Sequence, residues 1–424
     1  MKYNPYPKYK DSGIEWIGSV PEGWETIAVW LLFSIGRGRV ISNEEIGEHP
    51  GEYPVYSSQT EDNGVLGYID SYEFEGDYLT WTTDGANAGT VFKRSGKFCC
   101  TNVCGTLLPK REISLSFFQY AIDRATSWHV RHDINPKLMN NVMASIRVQF
   151  PSLPEQRAIA AFLDRETGRI DELIGKKERQ IELLQEKRQA LISHAVTKGL
   201  DPKAKLKDSG IEWLGMVPEG WAVKKVKYLV RFVSGGTPST TTDRYWGGDI
   251  PWVSPKDMKV RVVVDAEDHI TTDAVRESAT TMVPKGSALM VVRSGILAHT
   301  IPIAIAGRDV AINQDLKALV ARQSQFDSDF LVWYVEGKQD ELLTQWRKHG
   351  ATVQSLEQEF IANYMLPVPP INEQRAIAQF LFQQAEYFDK FAGKIRSSIG
   401  TLREYRTALI SAAVTGKIDV RGEV

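Results

Sequence analysis

The sequence predicts an α+β chain of two like halves. Each half is a globular α/β domain followed by a long helix. The helices pair antiparallel as a coiled coil, and the halves are related by a pseudo-two-fold axis. Three observations carry this expectation: an internal repeat, an alternation of composition along the chain, and a regular apolar spacing within the predicted helices.

The repeat comes first because it sets the architecture. Asp11–Trp24 reads DSGIEWIGSVPEGW and Asp208–Trp221 reads DSGIEWLGMVPEGW, differing at two positions. EQRAIAAFL at Glu155–Leu163 returns as EQRAIAQFL at Glu373–Leu381, and ALISHAVT at Ala190–Thr197 returns as ALISAAVT at Ala408–Thr415. The order is the same in both halves. This predicts four segments: a globular domain over 1–150, a helix over 151–200, a second domain over 201–370 and a second helix over 371–424.

Composition supports the division. From about Trp24 to Val148 and from about Trp221 to Val368 the chain is rich in Gly, Thr, Val, Tyr and Trp. Turn signals cut it at Asp62-Asn63-Gly64, Asp84-Gly85, Gly235-Gly236 and Gly247-Gly248. That pattern predicts short strands with some helix. Pro154–Val196 and Asn372–Val414 instead hold scattered Gly, no internal Pro, and many Glu, Gln, Arg, Leu and Ile.

Within these stretches the apolar positions alternate four and three apart, the coiled-coil spacing. The first seam is Leu163, Thr167, Ile170, Ile174, Lys177, Ile181, Leu184, Arg188, Leu191 and Ala195. The second is Leu381, Ala385, Phe388, Ala392, Ile395, Ile399, Leu402, Arg406, Leu409 and Ala413. The arginine at one place in both copies either snorkels at the seam edge or fixes register. Beside the seam stand Ile159, Phe162, Leu173 and Leu183 in one helix and Ile377, Phe380 and Phe391 in the other. A stripe this wide needs a further covering surface. Each helix ends where a DSGIEW segment begins or would begin, so the chain reads as a ring of two arcs opened once, with the domains at opposite ends of the rod.

Several function classes are disfavoured. Cys99, Cys100 and Cys104 lack the second Cys or His pair that a zinc site needs, and read as free thiols. His129 and His132 have no third ligand at metal spacing and read as a surface pair. The start MKYNPYPKYK lacks the apolar core of a signal peptide, and no run approaches the ~18 apolar residues of a membrane span; a cytoplasmic protein is expected. There is no phosphate-binding G-x-x-x-x-G-K-[ST] loop and no Gly-rich cofactor loop after a strand. Asn135-Pro136-Lys137-Leu138 is the nearest approach to the Asn-Pro-Pro-aromatic segment of adenine methyltransferases, and it fails. Asp315-Leu316-Lys317 lacks the preceding Pro-Asp of a nuclease motif. No catalytic residue and no metal site is expected.

The YKDSGIEWIG…PEGW opening and its repeat, the P-x-x-EQRAIA-x-FL start of each helix and the ALISHAVTKGLDP close resemble the specificity subunit of type I restriction–modification systems. So do SGGTPSTTTDRYWGGDIPWVSPKDM at Ser234–Met258 and AINQDLKAL at Ala311–Leu319. The resemblance covers nearly the whole chain. It implies two target-recognition domains, each reading one half of a bipartite double-stranded DNA site, with the helices as spacer. It implies as partners two modification subunits that methylate adenine with S-adenosylmethionine, and two restriction subunits that use ATP and Mg. None of these cofactors is expected in this chain, and no membrane is involved. One departure stands out: the first domain lacks the SGGTPS-type opening and shows YPVYSSQTEDNGVLGYID at Tyr53–Asp70 instead.

The side chains that read base edges and hold phosphates are Asn, Gln, Arg, Lys, Ser and Thr, with backbone N–H groups where glycine permits close approach. In the second domain the candidates are Ser234, Gly235, Gly236, Thr237, Lys256, Arg293, Asn313, Gln314 and Thr352, with Tyr245 beside Trp246 either core or groove-flanking. In the first they are Ser57, Ser58, Gln59, Asn63, Thr82, Thr83, Asn87, Asn102 and Lys137, each equally readable as an ordinary turn residue. Aligning Leu79–Val91 with Leu289–Ile301 equates Asp84-Gly85 with Ser294-Gly295, and Asn102 with Asn313. Charge argues against tight binding by the chain alone. Residues 1–153 carry 14 Lys and Arg against 18 Asp and Glu, and residues 201–370 carry 20 against 21. The rival readings are a structural coiled-coil adaptor and a self-contained nuclease or methyltransferase.

Overall fold

The computed structural model describes residues 3–130, 135–322, 325–348 and 353–423. The chain falls into two compact units, Met1–Glu178 with Arg396–Val424, and Arg179–Ile395. Each combines one globular domain with parts of both long helices.

The first domain contains β1 (Phe33–Arg37), β2 (Pro50–Tyr56), β3 (Val65–Ile69), β4 (Phe74–Glu75), β5 (Tyr78–Thr82), β6 (Val91–Arg94), β7 (Lys97–Cys100) and β8 (Cys104–Pro109). They form two sheets, of order β1-β8-β5-β6 and β3-β2-β7-β4. The first is antiparallel throughout; in the second β2 and β7 run parallel. Trp81 explains one sequence constraint: its buried indole crosses Gly105 on the neighbouring strand, where a side chain would collide with the ring, and donates to the Leu138 carbonyl at 3.0 Å. Helix α1 (Leu115–Thr126) is started by Ser114, whose hydroxyl accepts from the Phe117 amide, and buries Phe117, Phe118, Ala121, Ile122 and Ala125. The three cysteines are free and buried. The His129 ring bonds the Ala125 carbonyl at 2.9 Å; His132 lies outside the described residues.

The long helix α2 (Leu153–Lys198) follows. The second domain contains β9 (Val230–Ser234), β10 (Trp246–Val253), β11 (Val262–Val263), β12 (Asp268–Ile270), β13 (Thr281–Val283), β14 (Ala288–Val291), β15 (Ile303–Ala306), β16 (Val310–Ile312) and β17 (Leu316–Ala321), then helix α3 (Ser328–Gly337) and the long helix α4 (Ile371–Val414). Its sheets are β9-β17-β14-β15-β11 and β12-β10-β16-β13, with β10 and β16 parallel. Apart from the added β11, this is the first domain's strand order and direction repeated.

The repeated EQRAIA motif has a structural job in each unit. The buried Gln156 accepts from the Ser114 amide at 3.0 Å and donates to the Pro151 carbonyl at 2.9 Å. Gln374 accepts from the Asp327 amide at 2.9 Å and donates to Pro369 at 2.8 Å and Gln325 at 3.2 Å. The glutamine thus locks the start of α1 or α3 to the start of the following long helix.

Along α2 and α4 every seam position is buried or half-buried, while most intervening positions are exposed. In the first unit Arg406 bonds Asp171 at 2.8 and 3.1 Å and Arg403 bonds Glu178 at 2.9 Å, so the residues ascend one helix as they descend the other. Arg406 therefore projects from the seam to an acidic partner on the facing helix. Arg188, its counterpart, bonds Glu336 of α3 at 2.9 Å within the second unit. Of the residues beside the seam, Ile159, Phe162 and Ile377 are buried near the helix starts, whereas Leu173 and Leu183 are exposed. Among the described residues no helix is long and apolar enough to cross a membrane.

Candidate nucleic-acid interface

Strand pairing puts the two domains into residue-by-residue correspondence. Arg37 pairs with Gly105 as Ser234 pairs with Lys317. Gly38 lies so close to the Cys100 and Thr101 carbonyls that a side chain would collide with them; Gly235 lies the same way against Ile312 and Asn313. The amides of Arg39 and Gly236 donate to the Cys100 and Ile312 carbonyls. The structural equivalent of Ser234–Thr237 is therefore Arg37–Val40. This corrects the expectation that Tyr53–Asp70 stands in for the SGGTPS opening. Tyr56 pairs with Cys100 as Val253 pairs with Ile312, so that stretch matches the later part of the same segment, from about Ile250. The property the two stretches share is backbone proximity, which RGRV and SGGT satisfy with different side chains, so residue types alone do not reveal the match.

The alignment of the later strands also shifts by one residue. Asp84 forms an isolated bridge with Lys137, and Arg293 forms the equivalent one with Ser355. Leu138 and Leu356 donate to Thr83 and Val292. Asp84-Gly85 thus corresponds to Arg293-Ser294, not to Ser294-Gly295. The Thr101 amide bonds Tyr56 as the Asn313 amide bonds Val253, so Asn102 matches Gln314 and Thr101 matches Asn313.

In the first domain these strand ends gather a polar cluster. Arg37 donates from Nε to the Asn102 carbonyl at 2.6 Å and from Nη2 to Thr83 Oγ1 at 3.4 Å, with Asp84 Oδ2 3.6 Å away. Lys137 reaches the other Asp84 oxygen at 3.5 Å. Asn102 and Lys137 are exposed. Thr83 is buried and bonds Asp84 at 2.6 Å, and Thr82 is buried with its hydroxyl turned to the Asn87 carbonyl; both expected loop residues are enclosed at a strand end. Asn87 is exposed on the loop after β5, and Ser57, Ser58 and Gln59 are half-buried beyond β2, where Gln59 bonds the Val65 carbonyl. Asn63 takes the left-handed conformation that Asn tolerates best, at φ 55°, and its carbonyl accepts from Arg94 at 2.7 Å.

In the second domain Thr237 bonds Gln314, and Lys317 donates to Ser234 Oγ at 2.8 Å; burial lowers the Lys317 pKa. Asn313 is buried: it donates to Asp315 at 3.2 Å and accepts from the Asp315 amide, shaping the turn that exposes Gln314. Gly236 is buried as well. Arg293 is exposed, and among the described residues it forms no ion pair. Lys256 is tied to Asp268 at 2.9 Å and Glu267 at 3.1 Å. Tyr245 is half-buried, bonding Glu277 at 2.9 Å, while Trp246 packs edge-on against Trp252; neither belongs to the cluster. Thr352 lies outside the described residues.

Sequence comparison agrees with this duplicated plan. The chain belongs to the family described as the type I restriction modification DNA specificity domain, whose pattern matches residues 21–183 and again 218–398. It is 44% identical over 142 residues to a Mycoplasma pneumoniae protein named as type I specificity subunit S.MpnORF289P N-terminus, spanning 33% of this chain and 76% of that protein. It is 30% identical over 200 residues to the Escherichia coli type I restriction enzyme EcoR124I/EcoR124II specificity subunit, spanning 47% of this chain and 46% of that one. The match thus spans less than half the length of the Escherichia coli relative. In fold it resembles a chain from a structure concerned with complex assembly and conformational transition of the type I R-M system. The TM-score is 0.71 at 15% identity, covering 93% of this chain and 98% of that chain.

Proposed function

We propose that this chain is the DNA sequence-recognition subunit of a type I restriction–modification enzyme. Each domain reads one half of an asymmetric bipartite target in double-stranded DNA, and α2 and α4 act as the spacer that leaves the gap unread. The chain catalyses nothing itself. It scaffolds two modification and two restriction subunits, which use S-adenosylmethionine, ATP and Mg in the cytoplasm.

One observation supports this most: the same two-sheet domain occurs twice, and at corresponding strand ends the two copies present different polar side chains. Arg37, Asp84, Asn102 and Lys137 in one answer to Ser234, Arg293, Gln314 and Ser355 in the other. A common scaffold with changed donors and acceptors suits two different half-sites, because base edges are told apart by donor and acceptor pattern. The overall negative charge of both domains fits a subunit that depends on its partners for much of its phosphate attraction. The test is methylome sequencing of a host with and without the gene. A bipartite motif with two unlike halves, present only with the gene, is the expected outcome; identical methylomes refute the reading.

A further inference from the structure

We propose that Arg37 reads a guanine through the major groove, as the specificity-determining side chain of the first domain. This rests on the DNA-reading function above and goes beyond it by assigning a residue and a base.

The backbone holds Arg37 in a narrow choice of directions. Its neighbours Gly36 and Gly38 lie against Thr106 Oγ1 and the Cys100 and Thr101 carbonyls, so that face of the strand end has no room for a side chain. Strand alternation sends Arg37 to the other face. There its guanidinium is gripped along one edge: Nε by the Asn102 carbonyl at 2.6 Å, Nη2 by Thr83 at 3.4 Å and beside Asp84 at 3.6 Å. Nη1 makes no hydrogen bond among the described residues, and the side chain is 35% exposed. The remaining Nη1/Nη2 edge is a pre-oriented fork, the group that matches guanine O6 and N7.

Charge separates Arg37 from its neighbour. Arg39 is neutralised by Glu45 and Glu73, each at 2.5 Å. Arg37 and Lys137 share the single Asp84 carboxylate, which leaves a local surplus of one positive charge in a domain that is negative overall. The second domain has Ser234 at the place of Arg37 and offers its arginine, Arg293, from the place of Asp84. The two domains therefore present an arginine from different strand ends, as readers of different half-sites require.

The experiment uses the full chain in complex with a modification subunit of its system. Wild type, Arg37→Lys and Arg37→Gln are each selected against a randomised duplex pool, and the bound DNA is sequenced. Wild type is expected to prefer one G·C pair in one half-site by on the order of ten- to a hundred-fold. Arg37→Gln should lose that preference while the other half-site stays unchanged, and Arg37→Lys should keep its affinity for nonspecific duplex and retain at most a weakened preference for the same pair. The assignment is overturned if all base preferences survive in Arg37→Gln. It is equally overturned if Arg37→Gln weakens binding to all sequences alike with a shallower salt dependence, the mark of a phosphate contact. A wild-type complex that enriches no sequence refutes the DNA-reading function itself, and this assignment with it.

Discussion

Insertion of one heptad into each long helix tests whether the helices measure the gap. The insertion points are between Glu178 and Arg179 in α2 and between Ile395 and Arg396 in α4, where the two compact units meet along the chain. Seven residues preserve the four-three seam, so Ile174 and Ile181 before and after the first insertion keep their facing. The ion pairs Asp171–Arg406 and Glu178–Arg403 both lie on one side of the insertions and are left intact. At ~1.5 Å per residue each helix lengthens by about 10 Å, the rise of about 3 bp of B-DNA. Seven residues fall ~20° short of two helical turns. By contrast, 3 bp turn a half-site through about 100° at ~10.5 bp per turn. A slower methylation rate is therefore expected with the longer gap, and gap length is the readout. Methylome sequencing should return both half-sites unchanged and the gap longer by about 3 bp. Altered half-sites with an unchanged gap would refute the reasoning. Insertion into one helix alone breaks the antiparallel register and should abolish methylation.

Three further perturbations follow from the packing. Gly235→Val forces Cβ into the Ile312 and Asn313 carbonyls, which are backbone and cannot swing away; a loss of about 1–3 kcal/mol and a Tm lower by several degrees are expected in thermal denaturation. Gln374→Leu strips partners from the Asp327 amide and the Pro369 carbonyl, costing about 1–3 kcal/mol for each group left buried and unpaired, measurable by urea unfolding; an unchanged midpoint would contradict the locking role. In the first unit Asn4 accepts from the Asp419 amide at 2.8 Å and Lys417 donates to Ser19 at 2.6 Å. Lys198 likewise donates to Met216, the residue matching Ser19, where the chain is continuous. A circular permutant opened at 201–204 with residues 4 and 419 linked should keep the wild-type methylation motif, and a changed motif would count against the equivalence of these two junctions.

The duplication, the long helices and their seam were legible in the sequence because each is local. A heptad spacing needs only neighbours along one helix, and a repeated motif needs only comparison of the chain with itself. The polar strand ends were legible as residue types: Asn102, Lys137, Arg293 and Gln314 are all exposed there. Thr82 and Thr83 were not legible as enclosed, because burial at a strand end depends on what crosses it.

Register and partnership were decided by tertiary structure. Nothing local equates Arg37-Gly38 with Ser234-Gly235, since what they share is a carbonyl from a strand more than 60 residues away in each case. The one-residue shift that pairs Asp84 with Arg293 is invisible to composition and set by cross-strand hydrogen bonds. By itself the sequence determined that the chain is two domains on two paired helices, because periodicity and repetition are properties of short windows. Only the folded chain decided which side chains share a surface, because sheets are assembled from distant segments whose register is an agreement between strands and belongs to neither alone.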